Sequence, residues 1–195
     1  MQPDIKSRLQ RYHALLLQWQ PKINLVSPNT IDDAWNRHFV DSIQIEHYIP
    51  KSIKTIADIG SGAGFPGLVL AIMRPDITFH MIESDARKCA FLRNVSRETG
   101  CDNVAVHTNR IEDKIGDIHV DCVTARALAS LCQLMEYTKF QWDVNPNFQM
   151  ILPKGRQYLD EIDDAQSLYK FDYIEHQSTT SDEAIILSVS NIGQK

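Results

Sequence analysis

The sequence predicts an α/β fold, a mostly parallel β-sheet with helices on both faces. Three features predict it. From Thr55 onward, short β-branched or apolar runs alternate with helical periodicity. The turn after the first of these runs carries four glycines, Gly60, Gly62, Gly64 and Gly67, at the end of a strand where open α/β sheets bind ligands. The last two runs are separated only by a turn, which predicts one antiparallel strand at or near a sheet edge.

Residues 1–50 read as a helical extension, and 51–195 as the sheet-bearing domain. In the extension, Ile5, Leu9, Tyr12, Leu16 and Trp19 recur every three or four positions, one apolar stripe of a helix that Pro21 ends. Thr30 and Asp33 have capping-box spacing, so a second helix is expected through Trp35 and Phe39. Strands are expected at Thr55–Ile59, Thr78–Ile82, Val104–His107, Val120–Ala125 and Phe148–Leu152. The helices between and after them are expected near Pro66–Met73, Ala86–Thr99, Leu128–Thr138 and Gln157–Tyr169. The closing strands are Phe171–His176 and Ala184–Val189. Pro66 suits the first turn of its helix, where a missing N–H does no harm.

The chain has 195 residues, 43% apolar and 23% charged, enough for a real core. No apolar run has the length to span a bilayer, and the first residues lack the profile of a secretion signal. A cytoplasmic protein without a membrane partner is expected. The four cysteines form no Cys-x-x-Cys pair and the seven histidines are scattered. No metal is expected, and the thiols read as reduced and mostly buried. The net charge of −5 opposes non-specific binding to nucleic acid, which depends on basic surface. A basic patch on an acidic body remains compatible with RNA.

The stretch Asp58-Ile59-Gly60-Ser61-Gly62-Ala63-Gly64-Phe65-Pro66-Gly67 fits two ligands. Gly62-x-Gly64-x-x-Gly67 satisfies a dinucleotide fingerprint, with Glu83 near the position of a ribose-binding acid. Asp58-x-Gly60-x-Gly62-x-Gly64 satisfies the loop of S-adenosylmethionine enzymes, again with Glu83 at the ribose. Asp58 separates the two. A carboxylate repels a pyrophosphate but attracts an ammonium and a sulfonium. One such pair at about 4 Å is worth about 4 kcal/mol at an effective dielectric near 20. The methyl donor is favoured.

Several further motifs surround this loop. They are Trp19-x-x-Lys22-x-Asn24-Leu25, Arg37-His38-Phe39-x-Asp41-Ser42, Glu83-Ser84 with Lys88 and Phe91-Leu92, Asn109-Arg110-x-Glu112, Ala125-Arg126-Ala127 and Pro153-Lys154-Gly155. With them, nearly the whole chain resembles the glucose-inhibited division protein B (RsmG) family, bacterial 16S rRNA guanine-N7 methyltransferases. The resemblance implies a Rossmann-like class I methyltransferase, a seven-stranded mostly parallel sheet behind the N-terminal extension. It implies S-adenosylmethionine as donor, S-adenosylhomocysteine as product, and donor contacts at Gly60, Phe65, Ile111, Glu112 and Arg126. With Asp58, Gly62, Gly64 and Glu83 from the loop itself, these make the expected cofactor site. Arg126 and Lys154 are the expected catalytic residues, either of them suited to guanine O6. Lys22, Arg37, His38, Arg87, Lys88, Lys154 and Arg156 are the candidate RNA contacts. The expected partner is 16S rRNA or the small ribosomal subunit, met by a monomer.

Guanine N7 has an in-plane lone pair and no proton, so no general base is needed. The position after the fourth strand reads Thr124-Ala125-Arg126-Ala127, without the Asn/Asp-Pro-Pro-Tyr-like motif of exocyclic-amine methyltransferases. Asn145-Pro146-Asn147-Phe148 resembles that motif, but it precedes the fifth strand and reads as a turn. One departure from the family stands out. Many members carry an arginine just before the last strand, where this chain has Asp182-Glu183. Two other readings compete, a nicotinamide-dependent oxidoreductase on the same fold and a non-catalytic ribosome-binding protein. The first is opposed by Asp58 and by the lack of a Tyr-x-x-x-Lys pair, the second by the intact glycine loop.

Overall fold

The computed structural model describes residues 3–195. Helix α1 (Pro3–Trp19) buries Leu9, Tyr12 and Leu16, the expected stripe. Gln20 shapes the turn that follows. Its amide oxygen accepts from the Leu25 and Val26 N–H groups, and its amide nitrogen donates to the Val26 carbonyl. The expected capping box does not form. Thr30 ends a 3-10 turn (Pro28–Thr30), its hydroxyl donating to the Ser27 carbonyl, and the next helical turn begins only at Trp35 with Ala34 at its cap position, too far along for Thr30 to cap it. A π-helical turn (Trp35–Val40) follows, continuing into the short α2 (Asp41–Ile43) and a 3-10 turn (Gln44–Tyr48). Such widened turns are rare and often mark functional sites.

The sheet then builds as alternation predicts: β1 (Thr55–Ile59), α3 (Gly67–Met73), β2 (Thr78–Glu83), α4 (Ala86–Thr99) and β3 (Val104–Thr108). Asp85 caps α4 by accepting from the Arg87 and Lys88 amides. A short α5 (Ile111–Lys114), not foreseen in the sequence, leads to β4 (Cys122–Thr124). This strand is shorter than expected at both ends: the Val120 and Asp121 amides donate to the Gln141 and Thr55 side chains, and after Thr124 the chain turns through Ala127, whose φ is +51°. That turn also delays the next helix. It is α6 (Leu131–Tyr137), capped by Ser130, and it breaks into α7 (Lys139–Val144). Asn145–Phe148 is the expected turn, with the Asn147 amide donating to the Asn145 side chain. Then come β5 (Gln149–Lys154), α8 (Tyr158–Leu168), β6 (Tyr169–Gln177) and β7 (Ile185–Gln194).

The strand order is β3-β2-β1-β4-β5-β7-β6. β1 to β5 are parallel, and β7 is antiparallel to both neighbours, one place in from the edge. Alternate residues of each strand face opposite sides. Ile56 joins a core with α1, α3 and α4, whereas Ala57 and Ile59 join one with α6, α7 and α8. Residues 3–50 therefore share a core with the sheet's first face. The order reverses between β1 and β4, and the carboxyl ends of those two strands frame the crevice in which open α/β sheets bind ligands.

Candidate active site

The glycine loop leaves β1 by a backbone that few residues can follow. Gly60, Gly62 and Gly64 all have positive φ. Gly67 is required for a second reason. A Cβ there would lie 2.6 Å from the Asp58 carboxylate, so any side chain would press into a buried charge. Asp58 is fully buried, and neither carboxylate oxygen has a hydrogen-bond partner among the described residues. Burial pushes its pKa up to about 7; the nearby Ser61 hydroxyl, Gly67 amide and Arg126 pull it back only in part. Helix α1 braces the loop from below, with the Tyr12 hydroxyl donating to the Ala63 carbonyl.

Glu83, at the end of β2, ties both sides of a cleft together. One carboxylate oxygen accepts from the Gly62 amide and the other from the Asp85 amide, both at 2.8 Å. Each oxygen keeps lone-pair capacity for a further donor. The cleft, of about 340 Å³, is lined by Gly60, Gly62, Glu83, Lys88, Ile111 and Glu112, among others. The structure thus brings together five of the expected cofactor residues, and Lys88 faces this cleft. Three others stand apart. Asp58 lies beneath the loop, Gly64 packs against Tyr12, Leu68 and Leu92, and Phe65 is buried in an aromatic stack. Tyr12 and His38 both stack on Phe65, at 5.3 and 5.1 Å between ring centroids.

Arg126, after β4, lies over the Phe65 ring with its guanidinium carbon 5.0 Å from the centroid. It reaches Asp41 of α2 at 3.5 Å and borders two further cavities. The inner one, about 240 Å³, is lined by Asp41, Ala125, Arg126, Leu128, Lys154 and Glu161 with neighbours. The outer one, about 670 Å³, is lined by Arg37, His38, Asp41, Arg126, Arg156 and Thr180 with neighbours. Leu128 covers Gly60 and lines both the inner cavity and the cleft beside Glu83, so the two compartments meet there.

Several of the expected cations are already engaged. Lys154 is buried and donates to Glu161 at 2.6 Å and to the Ala129 carbonyl. Arg156 meets Glu183 at 2.6 Å, so the acid that departs from the family pattern holds a candidate RNA contact. His38 is no cation. Burial and Arg126 lower its pKa to about 4, and its Nε2 lies 2.9 Å from the Thr30 hydroxyl. Arg37 is exposed at the outer cavity. Lys22, in the turn after α1, and Arg87, in the first turn of α4, line none of these spaces.

Sequence reasoning missed Asp41, Tyr12, Leu128 and Glu161 as parts of the site. Asp41 had a signal, its place beside Arg37 and His38. Glu161 had none, being one acid among several on α8.

The chain matches the family model of rRNA small subunit methyltransferase G (GidB) over residues 5–187. It is 42% identical to a ribosomal RNA small subunit methyltransferase G of Rhizobium leguminosarum bv. trifolii, covering 97% of this chain and 93% of that one. Among solved structures, it is similar to a ribosomal protein L11 methylase from Lactobacillus delbrueckii subsp. bulgaricus, with a TM-score of 0.63 at 16% identity over 80% of this chain and 78% of that one. It is also similar to an O-methyltransferase from Bacillus cereus in complex with S-adenosylhomocysteine, with a TM-score of 0.59 at 13% identity, over 97% and 91%. At such identities these two speak for the fold, which is that of class I methyltransferases.

Proposed function

The chain belongs to the rRNA small subunit methyltransferase G family, and from that premise we propose that it transfers the methyl group of S-adenosylmethionine to N7 of a guanine in 16S rRNA. One observation carries the choice of donor. Asp58 is a buried carboxylate beneath the glycine loop, neither of whose oxygens has a hydrogen-bond partner among the described residues. A cationic ligand above that loop offsets its charge, and an anionic dinucleotide would oppose it. The residues present therefore fit S-adenosylmethionine.

When bound, this donor supplies a methyl group activated by a positively charged sulfur. Glu83 accepts from the ribose hydroxyls with the lone pairs that the Gly62 and Asp85 amides leave open. Ile111 and Glu112 bracket the adenine. Leu128, between the compartments, screens the reacting atoms from water. Guanine enters the inner cavity with N7 towards Leu128, and Arg126 donates to O6. Lys154, fixed by Glu161, contributes positive potential and defines the cavity wall. No residue has to remove a proton, because N7 carries none. The work left to the protein is alignment, which is worth several orders of magnitude in rate. Arg37 and Arg156 take the RNA backbone at the outer rim. The substrate is the RNA or the small subunit that contains it, and the protein works on it in the cytoplasm as a monomer.

Calorimetric titration with S-adenosylmethionine and with NAD tests the donor. Binding of the first alone is expected. Binding of NAD alone, or of neither, would overturn the proposal.

A further inference from the structure

Asp41 has a use that the transfer reaction alone does not demand. It lines both the inner and the outer cavity. Its two oxygens differ. Oδ1 is occupied, accepting from the Thr180 hydroxyl at 2.7 Å and the Gln44 amide at 3.0 Å. Among the described residues, Oδ2 meets only the Arg126 guanidinium, at a long 3.5 Å. The carboxylate is thus held firmly by one oxygen and offers the other to the cavity, beside a cation. Gln44 is itself fixed, because its amide oxygen accepts from the Thr179 backbone amide at 2.8 Å. The loop between β6 and β7 therefore clamps Asp41 in place.

We infer that Asp41 is the specificity-determining residue for guanine, its Oδ2 accepting from N1–H and the 2-amino group of the target base. The inference rests on the proposed N7 transfer and deepens it. The chemistry follows from order along the base. Running round guanine from N7, the next groups are O6, an acceptor, then N1–H and the 2-amino group, both donors. On the protein, Arg126, a donor, and Asp41, an acceptor, lie 3.5 Å apart and line the inner cavity together with Leu128. This neighbouring donor and acceptor match O6 and N1–H when N7 faces the donor cleft. Adenine in the same pose presents an amino group to Arg126 and a bare N1 to Asp41. Both contacts become repulsive, and buried polar groups are left unpaired, the strongest form of discrimination available to a binding site. Glu161, the other carboxylate on the inner cavity, is already neutralised by the buried Lys154 at 2.6 Å, a closer cation than Arg126 is to Asp41 at 3.5 Å.

The test uses two synthetic RNAs that differ only at the target base, guanosine or inosine, which lacks the 2-amino group. Methyl transfer at that base is measured as kcat/KM with the wild-type protein and with Asp41→Asn. The wild type should prefer guanosine by roughly 10- to 100-fold, the range for a hydrogen bond to a charged group. In Asp41→Asn, transfer to guanosine should fall and the preference collapse towards the small difference in N7 reactivity that remains. A residue that merely positions Arg126 would slow both RNAs alike and leave the preference unchanged; that outcome overturns the inference. So does a wild type that treats the two RNAs equally. If the variant turns over too slowly, the same ratio is read from equilibrium binding of the two RNAs in the presence of S-adenosylhomocysteine. A wild type that methylates neither RNA, nor intact small-subunit RNA, would overturn the underlying reaction instead.

Discussion

The donor cleft and the acceptor cavities lie side by side but are built by different means. The donor cleft is assembled from short stretches of chain, the loop after β1, the end of β2 and the start of α5, and it is shaped by backbone. Glu83 spends one lone pair on each flank, and the glycines supply the rest. The acceptor side draws Asp41, Arg126, Lys154, Thr180 and Glu183 from segments far apart in sequence, with Thr180 and Asp41 separated by 139 positions. It is held by side-chain pairs: Arg126 with Asp41, Lys154 with Glu161, Arg156 with Glu183. A backbone-built site is preformed. A site held by ion pairs has to exchange them when RNA arrives.

Four perturbations break or sharpen this contrast. The largest is expected on the acceptor side. Arg126→Ala should lower methyl transfer by roughly 100- to 1000-fold, the usual cost of losing one well-placed electrostatic group. Its circular dichroism should stay near wild type, and donor affinity should fall as well if Arg126, which lies over Phe65 of the glycine loop, also contacts the donor. Wild-type turnover would remove Arg126 from the site.

On the donor side the expected signature is a pH dependence. The pKa of Asp58 rises on folding from 3.8 to about 7. Between those values the folded protein binds the proton that the unfolded chain has released, so stability is greater at low pH and declines as pH rises towards 7. The full effect is roughly 4 kcal/mol. Asp58→Asn should remove most of that slope in denaturant unfolding at pH 5 and pH 8, and should weaken binding of the cationic donor. An unchanged slope would mean that Asp58 is not the titrating group.

Gly67→Ala should come next, destabilising the protein by about 1–3 kcal/mol through overpacking against Asp58. A thermal melt reads it, and an unaltered melting temperature would show that the loop yields more easily than its geometry implies. The smallest effect belongs to the exposed Arg156–Glu183 pair. Glu183→Gln frees Arg156 and should tighten RNA binding by up to about fivefold, as surface pairs allow, with a steeper salt dependence. Fluorescence anisotropy across a salt series measures both. No change in either would place Arg156 outside the RNA interface.

The same contrast explains what could be read from sequence. The strand–helix alternation, the glycine loop and Glu83 were legible because each is a local pattern with one physical meaning. The closing hairpin was legible as well, although its antiparallel strand lies one place in from the edge. Phe65 belongs to a readable motif, yet its ring is consumed by Tyr12 and His38, and nothing local tells a cleft aromatic from a stacked one. The failed capping box at Thr30 is similar. The spacing was right, but the chain makes a tighter turn at Thr30 and the next helical turn begins only at Trp35. The pairing of Arg126 with Asp41, and of Arg156 with Glu183, depends on how β4, α2 and the β6–β7 loop converge. No single stretch of chain contains that information. Glu183 was visible as a departure from the family, and only the fold shows what it grips.

The central claim is that donor cleft and acceptor cavity act as one site for transfer to guanine N7. The most direct test incubates the protein with labelled S-adenosylmethionine and small-subunit RNA, as naked RNA and as the assembled subunit, and maps the product by cleavage at 7-methylguanosine. The account predicts label in 16S rRNA at a single 7-methylguanosine. Label on an exocyclic amine, a ribose or a protein, or no label in either substrate, would contradict it.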